Sequence, residues 1–170
     1  RNALIEDINR TVQNMQTEFP KFSAQLVGGG TELLNRIPAS EIEDIIKQNA
    51  KKNREANNSS IMGPHTTDLL VTHSQKKQFA NEASTGEQKA LLITFILAHA
   101  HLQSTRLEKP PLLLLDDVAA LLDPWRRDAL FDACKNFSGQ VWYSGSDEKS
   151  FESLKSKAQY FYVNDGIISY

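Results

Sequence analysis

The stretch that most restricts the fold is a run of four leucines, preceded by two prolines and followed by two aspartates, at residues 110–117. A short, unbroken apolar run is typical of a strand covered on both faces, as in a parallel sheet with helices on either side. Further strands are predicted at DLLVTH (68–73), KKQFAN (76–81) and GQVWYSG (139–145), helices at 86–104, 124–137 and 147–158, and a terminal β-hairpin at 159–170 with the turn Asn164-Asp165-Gly166. Residues 61–170 are therefore predicted to be α/β, with a mainly parallel sheet and flanking helices.

The first 60 residues have a different character. An amphipathic helix is predicted over 4–19, and KFSAQLVGGG (21–30) is predicted to be a short strand that leads into a glycine turn. A second amphipathic helix is predicted where Ser40 and Glu43 form a capping box. The polar and basic segment 51–60 then separates this helical front portion from the α/β portion.

Composition narrows the possible partners and compartments. The formal net charge of −2 argues against a general electrostatic attraction to nucleic acid, so DNA binding would need a local basic patch. The single cysteine, Cys134, lies in an apolar helical pattern and suits a reducing environment, which favours the cytoplasm. No run reaches about 18 apolar residues, so neither a membrane-spanning helix nor a membrane partner is expected. The chain begins at Arg1 without an initiator methionine or a signal peptide, and we expect it to be a fragment.

The two aspartates after the leucine run are the first candidate site. A buried strand that ends in two carboxylates is costly unless a cation meets them. Asp116 and Asp117 match a Walker B element, in which the first acid helps to hold Mg²⁺ and the second polarises an attacking water. The alternative is that both aspartates only cap the strand and remain solvated.

A second candidate site lies at the start of the long apolar helix, where the sequence reads Ser84-Thr85-Gly86-Glu87-Gln88. A hydroxyl, backbone N–H groups and the positive end of a helix dipole together favour an anion such as phosphate. The segment resembles the signature motif of ATP-binding-cassette (ABC) ATPases. The alternative is an ordinary helix N-cap with solvated charges.

Two further features decide how these motifs are interpreted. Leu121-Leu122-Asp123-Pro124 resembles the D-loop of the same ATPases and follows the Walker B element at the usual place. A P-loop of the form G-x-x-x-x-G-K-[ST] is absent from the sequence, since the cluster Gly28-Gly29-Gly30 is followed by no lysine that could reach phosphates. The chain is therefore predicted not to bind ATP unaided, and the P-loop lobe is expected to lie outside it.

The motifs together resemble the C-terminal half of the RecF family of bacterial DNA replication and repair proteins, which have SMC-like ATPase heads. The resemblance rests on GPHTTDL (63–69), STGEQKALL (84–92), PPLLLLDDVAALLD (110–123), RRDALFD (126–132) and QVWYSGSD (140–147). It is dense over 63–170 and weak over 1–62. It implies that residues 61–170 are the C-terminal part of an ABC-type ATPase head and that residues 1–60 are part of a helical arm (lid) domain.

The resemblance also implies roles for individual residues toward ATP and Mg²⁺. At the catalytic and metal site it places Asp116, which would hold Mg²⁺, Asp117, which would orient or activate the water, and Ser146, which would occupy the switch position. At the ATP site it places Ser84, Thr85, Gly86, Gln88, Asp123 and His65. The signature residues would reach ATP bound to the partner subunit, Asp123 would couple the two sites, and His65 could instead only order a turn. Because the second acid is Asp117 rather than glutamate, slow hydrolysis is expected.

The function implied by the resemblance is that of an ATP-dependent homodimer that binds DNA at gaps and at junctions of single and double strands. Such a protein helps to load RecA together with RecO and RecR, in replication, in recombinational repair and in the SOS response to DNA damage. Two alternatives stay open at this point. The chain could be the C-terminal lobe of another SMC-like or transporter-type ABC ATPase, or an α/β interaction module without nucleotide chemistry.

Overall fold

The computed structural model describes residues 1–28, 37–55, 66–107 and 109–170. The helices in these ranges are α1 (Asn2–Asn14), α2 (Ala39–Glu55), α3 (Thr85–Arg106) and α4 (Pro124–Lys135). The strands are β1 (Phe22–Gly28), β2 (Thr67–His73), β3 (Leu113–Leu115), β4 (Val141–Tyr143), β5 (Tyr162–Asn164) and β6 (Ile167–Ser169). Among the described residues, no helix has both the length and the apolar character that crossing a bilayer would require.

The long helix α3 is the centre of the packing. One side contributes Ala90, Ile93, Leu97 and Ala100 to a buried cluster with β3 and α4. Another side contributes Leu91 and Ala98 to a second cluster with α1 and β1. Because α3 is covered from two directions, its sequence is apolar on almost every side. Each leucine or isoleucine that it buries stabilises the fold by about 1.5–3 kcal/mol. The helix predicted at 86–104 is confirmed and extends slightly further, from Thr85 to Arg106.

The first helix and the first strand hold the front portion against α3. Ile8 and Val12 of α1 are buried in the second cluster, and α1 ends at Asn14, earlier than predicted. Two polar contacts add to this packing. The hydroxyl of Thr94, which is fully buried in α3, contacts the carbonyl oxygens of Pro20 and Ala90, both at 3.0 Å, and Arg106 at the end of α3 pairs with Asp7. Buried side chains and the Asp7–Arg106 pair therefore hold α1 against α3, and Thr94 holds the segment between α1 and β1.

The strands form three separate pairs in the described part of the chain. β1 pairs with β2 in antiparallel register, from Phe22 opposite His73 to Gly28 opposite Thr67. This pairing joins the front portion to the back portion, and the division at residue 60 stays a prediction. β3 and β4 are parallel, and β5 and β6 form the predicted terminal hairpin. Its turn residues Asp165 (φ 48°) and Gly166 (φ 78°) both have positive φ, as a primed turn requires.

The leucine run is covered on one face and open on the other. Leu113 and Leu115 are buried against α3 and α4. Leu112 and Leu114 are 54% and 67% exposed, and Trp142, paired with Leu114 in β4, is also exposed. The sequence predicts a strand that is covered on both faces, but the described residues cover only one of them. We call Leu112, Leu114 and Trp142 the open face.

Two predicted elements take a different form. In the predicted strand 76–81, only Phe79 makes a β-bridge, to Thr72, and a 3₁₀ turn follows at Ala80–Glu82. The reason is that Lys77 has a positive φ of 54°, which turns the chain away from an extended path. The predicted helix at 147–158 is a 3₁₀ helix over Glu148–Leu154, capped by the side chain of Asp147.

Candidate functional site

The carboxyl ends of β3 and β4 lie side by side because these strands are parallel, and Ser144 connects them. The N–H of Ser144 donates to the carbonyl oxygen of Leu115 at 3.1 Å. The N–H of Asp117 contacts the carbonyl oxygen and Oγ of Ser144, each at 3.2 Å, and the Ser144 hydroxyl donates to Oδ1 of Asp116. The two predicted acids thus share one turn that Ser144 holds in place. Sequence reasoning does not single out Ser144, although it directly follows the strand and precedes the predicted Ser146 by two residues.

Asp117 has the left-handed backbone conformation, with φ of 52°. Aspartate and asparagine adopt this conformation more readily than other residues with a side chain, because their short polar groups bond locally. Glutamate lacks this advantage. The aspartate at the second acidic position, which departs from the glutamate of many ATPases, therefore matches the backbone that it occupies.

Both carboxylates at this edge are exposed. The prediction that Asp116 and Asp117 are buried and need a cation is therefore wrong, because water can solvate both carboxylates. Within the described ranges, no cluster of three His, Cys, Asp or Glu residues could hold a metal by itself. Two carboxylates beside a hydroxyl are nevertheless hard oxygen donors, which suit Mg²⁺ when waters and phosphate oxygens complete its shell. The residues present fit a shared magnesium site rather than a closed one.

Ser146 lies on the same edge of the sheet and is exposed. It is flanked by Gly145, where an added Cβ would lie 2.9 Å from the ring of Phe151, and by Asp147, which accepts from the N–H of Lys149 at 3.1 Å. A side chain at position 145 would have to displace this ring, and a side-chain cap follows on the other side of Ser146. Its predicted switch role remains a prediction.

The signature segment forms the predicted cap at the tip of α3. Ser84 is the N-cap residue, and the Glu87 carboxylate accepts from the Ser84 N–H at 3.2 Å and from its hydroxyl at 3.0 Å. Lys76, in the turn after β2, pairs with the same carboxylate. The bond from Lys76, and then the bonds from Ser84, lower the pKa of Glu87 from 4.5 to about 2. In this structure the anion at the helix tip is therefore Glu87 itself.

The other signature residues surround this cap. Thr85 is exposed and begins the helix, and Gly86 lies in its first turn. The Gln88 amide donates back to the carbonyl oxygens of Ala83 at 3.1 Å and Asn81 at 3.4 Å. The capping box of the ordinary N-cap alternative is thus present, and a role toward phosphate would require Ser84 to exchange its partner.

The lowered pKa of Glu87 leads to a pH-dependent prediction. A carboxylate whose pKa is depressed by folding stabilises the fold above its unfolded value, in this case 4.5, and loses that contribution as the pH falls toward 2. We expect Glu87→Gln to lower the Tm at pH 7 and to differ less and less from wild type between pH 4.5 and pH 3. Thermal unfolding across this range measures the difference. Lys76→Met should show a similar trend, whereas a pH-independent difference for Glu87→Gln would show that the charge of Glu87 does not stabilise the fold.

Arg126 lies between the D-loop aspartate and the signature segment. Asp123 caps α4 through Oδ1, which accepts from the Arg126 N–H at 3.0 Å, and its Oδ2 pairs with Nη1 of Arg126 at 2.7 Å. These bonds lower the pKa of Asp123, with the backbone N–H as the largest cause. Nη1 of Arg126 also lies 3.5 Å from where a Cβ would stand on Gly86. The sequence places Arg126 in the RRDALFD motif, directly after the D-loop and close enough to it to line a dimer face, but its pair with Asp123 is not predicted there. An arginine three residues after a helix-capping aspartate is nevertheless a signal for this pair.

The structure therefore groups the predicted residues in two places. Asp116, Asp117 and Ser146 lie at the ends of β3 and β4, whereas Asp123 and the signature residues meet at the tips of α3 and α4. No hydrogen bond or ion pair among the described residues links Asp116 or Asp117 to Ser84. His65 and the rest of the GPH motif lie outside the described residues.

Comparison with solved structures defines the class of fold. The chain is similar to the recombination mediator protein RecF with ATPrS, from the RecFOR pathway, with a TM-score of 0.65, 15% identity and coverage of 98% of this chain and 44% of that one. It is also similar to a chain from a study of ATP-driven dimerization of SMC ATPases, with a TM-score of 0.54, 15% identity and coverage of 98% and 83%. The fold is that of the RecF and SMC ATPase heads.

Sequence comparison is more specific. No protein-family model matches the chain. The DNA replication and repair protein RecF of Agrobacterium fabrum is 40% identical over 154 residues, which are 89% of this chain and 41% of that protein. RecF of Allorhizobium ampelinum is 45% identical over 134 residues, 77% of this chain and 36% of that protein. The chain is similar to RecF over most of its own length, which confirms the predicted resemblance, and it spans about two fifths of the length of these curated relatives.

Proposed function

We propose that this chain is the C-terminal head portion of a RecF-like protein of DNA replication and repair, and that it completes an ATP site formed between two subunits. The observation that carries the proposal is the 40% identity to Agrobacterium fabrum RecF over nearly nine tenths of the chain. By a RecF-length protein we mean a protein that joins this chain to a P-loop lobe. Identity at this level favours RecF over other SMC-like or transporter-type ATPases.

The proposed roles follow the two groups of residues. Asp116 would hold Mg²⁺ on the carboxylate that faces Ser144, and Asp117 would orient the attacking water from its fixed backbone position. A bound Mg²⁺ would neutralise phosphate charge. Ser84, Thr85, Gly86 and Gln88 would face the ATP of the partner subunit, with Asp123 beside them and Ser146 at the switch position. Because the Ser84 hydroxyl donates to Glu87 in this structure, engagement of a phosphate would require it to release that carboxylate.

The open face supports the idea that more protein packs here. Leu112, Leu114 and Trp142 form an apolar strip on the uncovered side of β3 and β4, and Phe161 stacks on Trp142 with ring centroids 5.7 Å apart. Soluble proteins rarely leave such contiguous apolar surface uncovered. We propose that the P-loop lobe covers this strip in a RecF-length protein.

The whole protein would act as the relatives' name indicates, in DNA replication and repair. We propose that its ATP-bound homodimer binds gapped DNA and junctions of single and double strands in the bacterial cytoplasm, and that it assists RecA loading with RecO and RecR. The proposed hydrolysis is slow, and it would reset the dimer.

Calorimetry separates this proposal from that of an interaction module without nucleotide chemistry. We expect the chain alone to show no saturable affinity for magnesium-ATP at micromolar concentration, because it has no phosphate-cradling P-loop. Mixing with the P-loop lobe of a RecF relative should produce both a stable complex and ATP-dependent self-association. Saturable ATP binding by the chain alone would contradict its proposed division of labour with a P-loop lobe. A complex that forms but does not self-associate when ATP is added would instead support an interaction module without nucleotide chemistry.

A further inference from the structure

We infer that Arg126 is a positioning residue for ATP-dependent association, because it holds the Asp123 turn against the first turn of α3. The inference rests on the proposed function. Its basis is that one guanidinium pairs with Asp123 and also lies against Gly86. A single side chain thus lies beside both of the motifs that the proposed function places at a shared ATP site.

Gly86 lies in the first turn of α3, beside the guanidinium of Arg126. Glycine is unfavourable inside a helix, and the backbone of Gly86 is not in the left-handed region that would require one. A Cβ there would already be in van der Waals contact with Nη1 of Arg126, so a longer side chain would displace the guanidinium. An alanine would therefore fit at position 86, whereas a larger side chain would compete with Arg126 for the same space.

The charge arrangement indicates a role other than stability. A cation near the N-terminus of a helix meets the positive end of the helix dipole, which is unfavourable. Arg126 is only one third exposed, Asp123 compensates its charge, and Arg126 lines a cavity of about 360 Å³ together with Glu87 of the signature segment. Ion pairs of this spacing contribute little to folding stability when solvated. We therefore assign the pair a different effect: it positions Asp123 relative to α3.

Neighbouring residues on α4 provide matched comparisons. Arg127 donates to the carbonyl oxygens of Ala119 at 2.9 Å and Leu122 at 3.1 Å, so it braces the loop before α4. At the other end of the helix, Asp132 and Lys135 form an exposed ion pair with the same i, i+3 spacing as Asp123 and Arg126. The second pair touches neither motif and serves as the control.

The test uses a RecF-length protein and three measurements: ATP binding, ATP-dependent association by light scattering, and Tm. We expect Arg126→Ala to weaken association at least about fivefold, the lower end of usual coupling between sites, with ATP binding unchanged and only a small decrease in Tm. Asp123→Asn keeps the helix cap but loses the ion pair, and should produce a similar loss. The double variant should lose no more than either single one, and Arg126→Lys should recover part of the association. Lys135→Ala should match wild type.

The outcomes distinguish this inference from the proposed function. A wild-type protein that does not associate on addition of ATP overturns both. If the wild type associates and Arg126→Ala does so equally well, only the inference about Arg126 fails. Strictly additive losses from the two single variants, or an equal loss for Lys135→Ala, would also overturn it.

Discussion

Replacing Ser84 with arginine in a RecF-length protein is expected to abolish ATP-dependent association while leaving ATP binding to each subunit intact. Ser84 caps α3 at the tip that the proposed function directs toward the partner's ATP. An arginine there removes the hydroxyl and adds bulk where a phosphate would approach, so the loss falls on association rather than on first binding. Light scattering with and without ATP, beside equilibrium nucleotide binding, measures the two effects separately.

Two control variants separate this role from simple capping. Ser84→Ala removes the cap without bulk and should cost about 1 kcal/mol of stability. Thr105→Arg adds the same charge at an exposed position near the other end of α3 and should associate normally. If Ser84→Arg still forms the ATP-dependent dimer, Ser84 is only an N-cap.

The second large effect is expected at the strand-end acids. Asp116→Asn should weaken magnesium-dependent ATP binding in a RecF-length protein, because it removes the charge proposed to face the metal. Asp117→Asn should leave binding nearly intact and slow hydrolysis, because asparagine tolerates the left-handed backbone but polarises water poorly. Equilibrium binding and single-turnover hydrolysis assays distinguish the two.

The backbone at position 117 supplies a further control. Asp117→Ala should disturb both binding and hydrolysis, because alanine has no local bond that favours a φ of 52°. Equal losses of ATP binding in Asp116→Asn and Asp117→Asn would show that the two acids do not divide the work.

The elements best predicted from the sequence are those whose pattern is set by local packing. The long helix, the terminal hairpin turn and the two parallel strands appear where hydrophobic runs and turn residues place them. The predicted strand at 76–81 is wrong because the backbone takes a left-handed turn at Lys77. Nothing in the pattern of polar and apolar residues predicts that turn. The open side of Leu114 could not be foreseen from its own strand, because a leucine run looks the same whichever part of a protein covers it.

The candidate site shows the same limit. Motif residues such as Asp116 and Ser84 are visible in the sequence because their types and spacing are restricted. Two of their partners are not visible, because Ser144 reaches Asp116, and Lys76 reaches Glu87, from outside these motif segments through the fold. The pair of Asp123 with Arg126 is local and could have been predicted from its spacing. A single sequence contains no measure of which surface cation lies near which carboxylate.

The firm attachment of α1 to α3 makes these helices a lever. With 22 residues, α3 is about 33 Å long, so a tilt of about 5° about one end would move the other by about 3 Å. The buried side chains Ile8 and Val12 and the Asp7–Arg106 pair would carry α1 along with that movement. A tilt too small to break any contact at Ser84 would thus move the far end of α3, and α1 with it, by nearly the width of an atom.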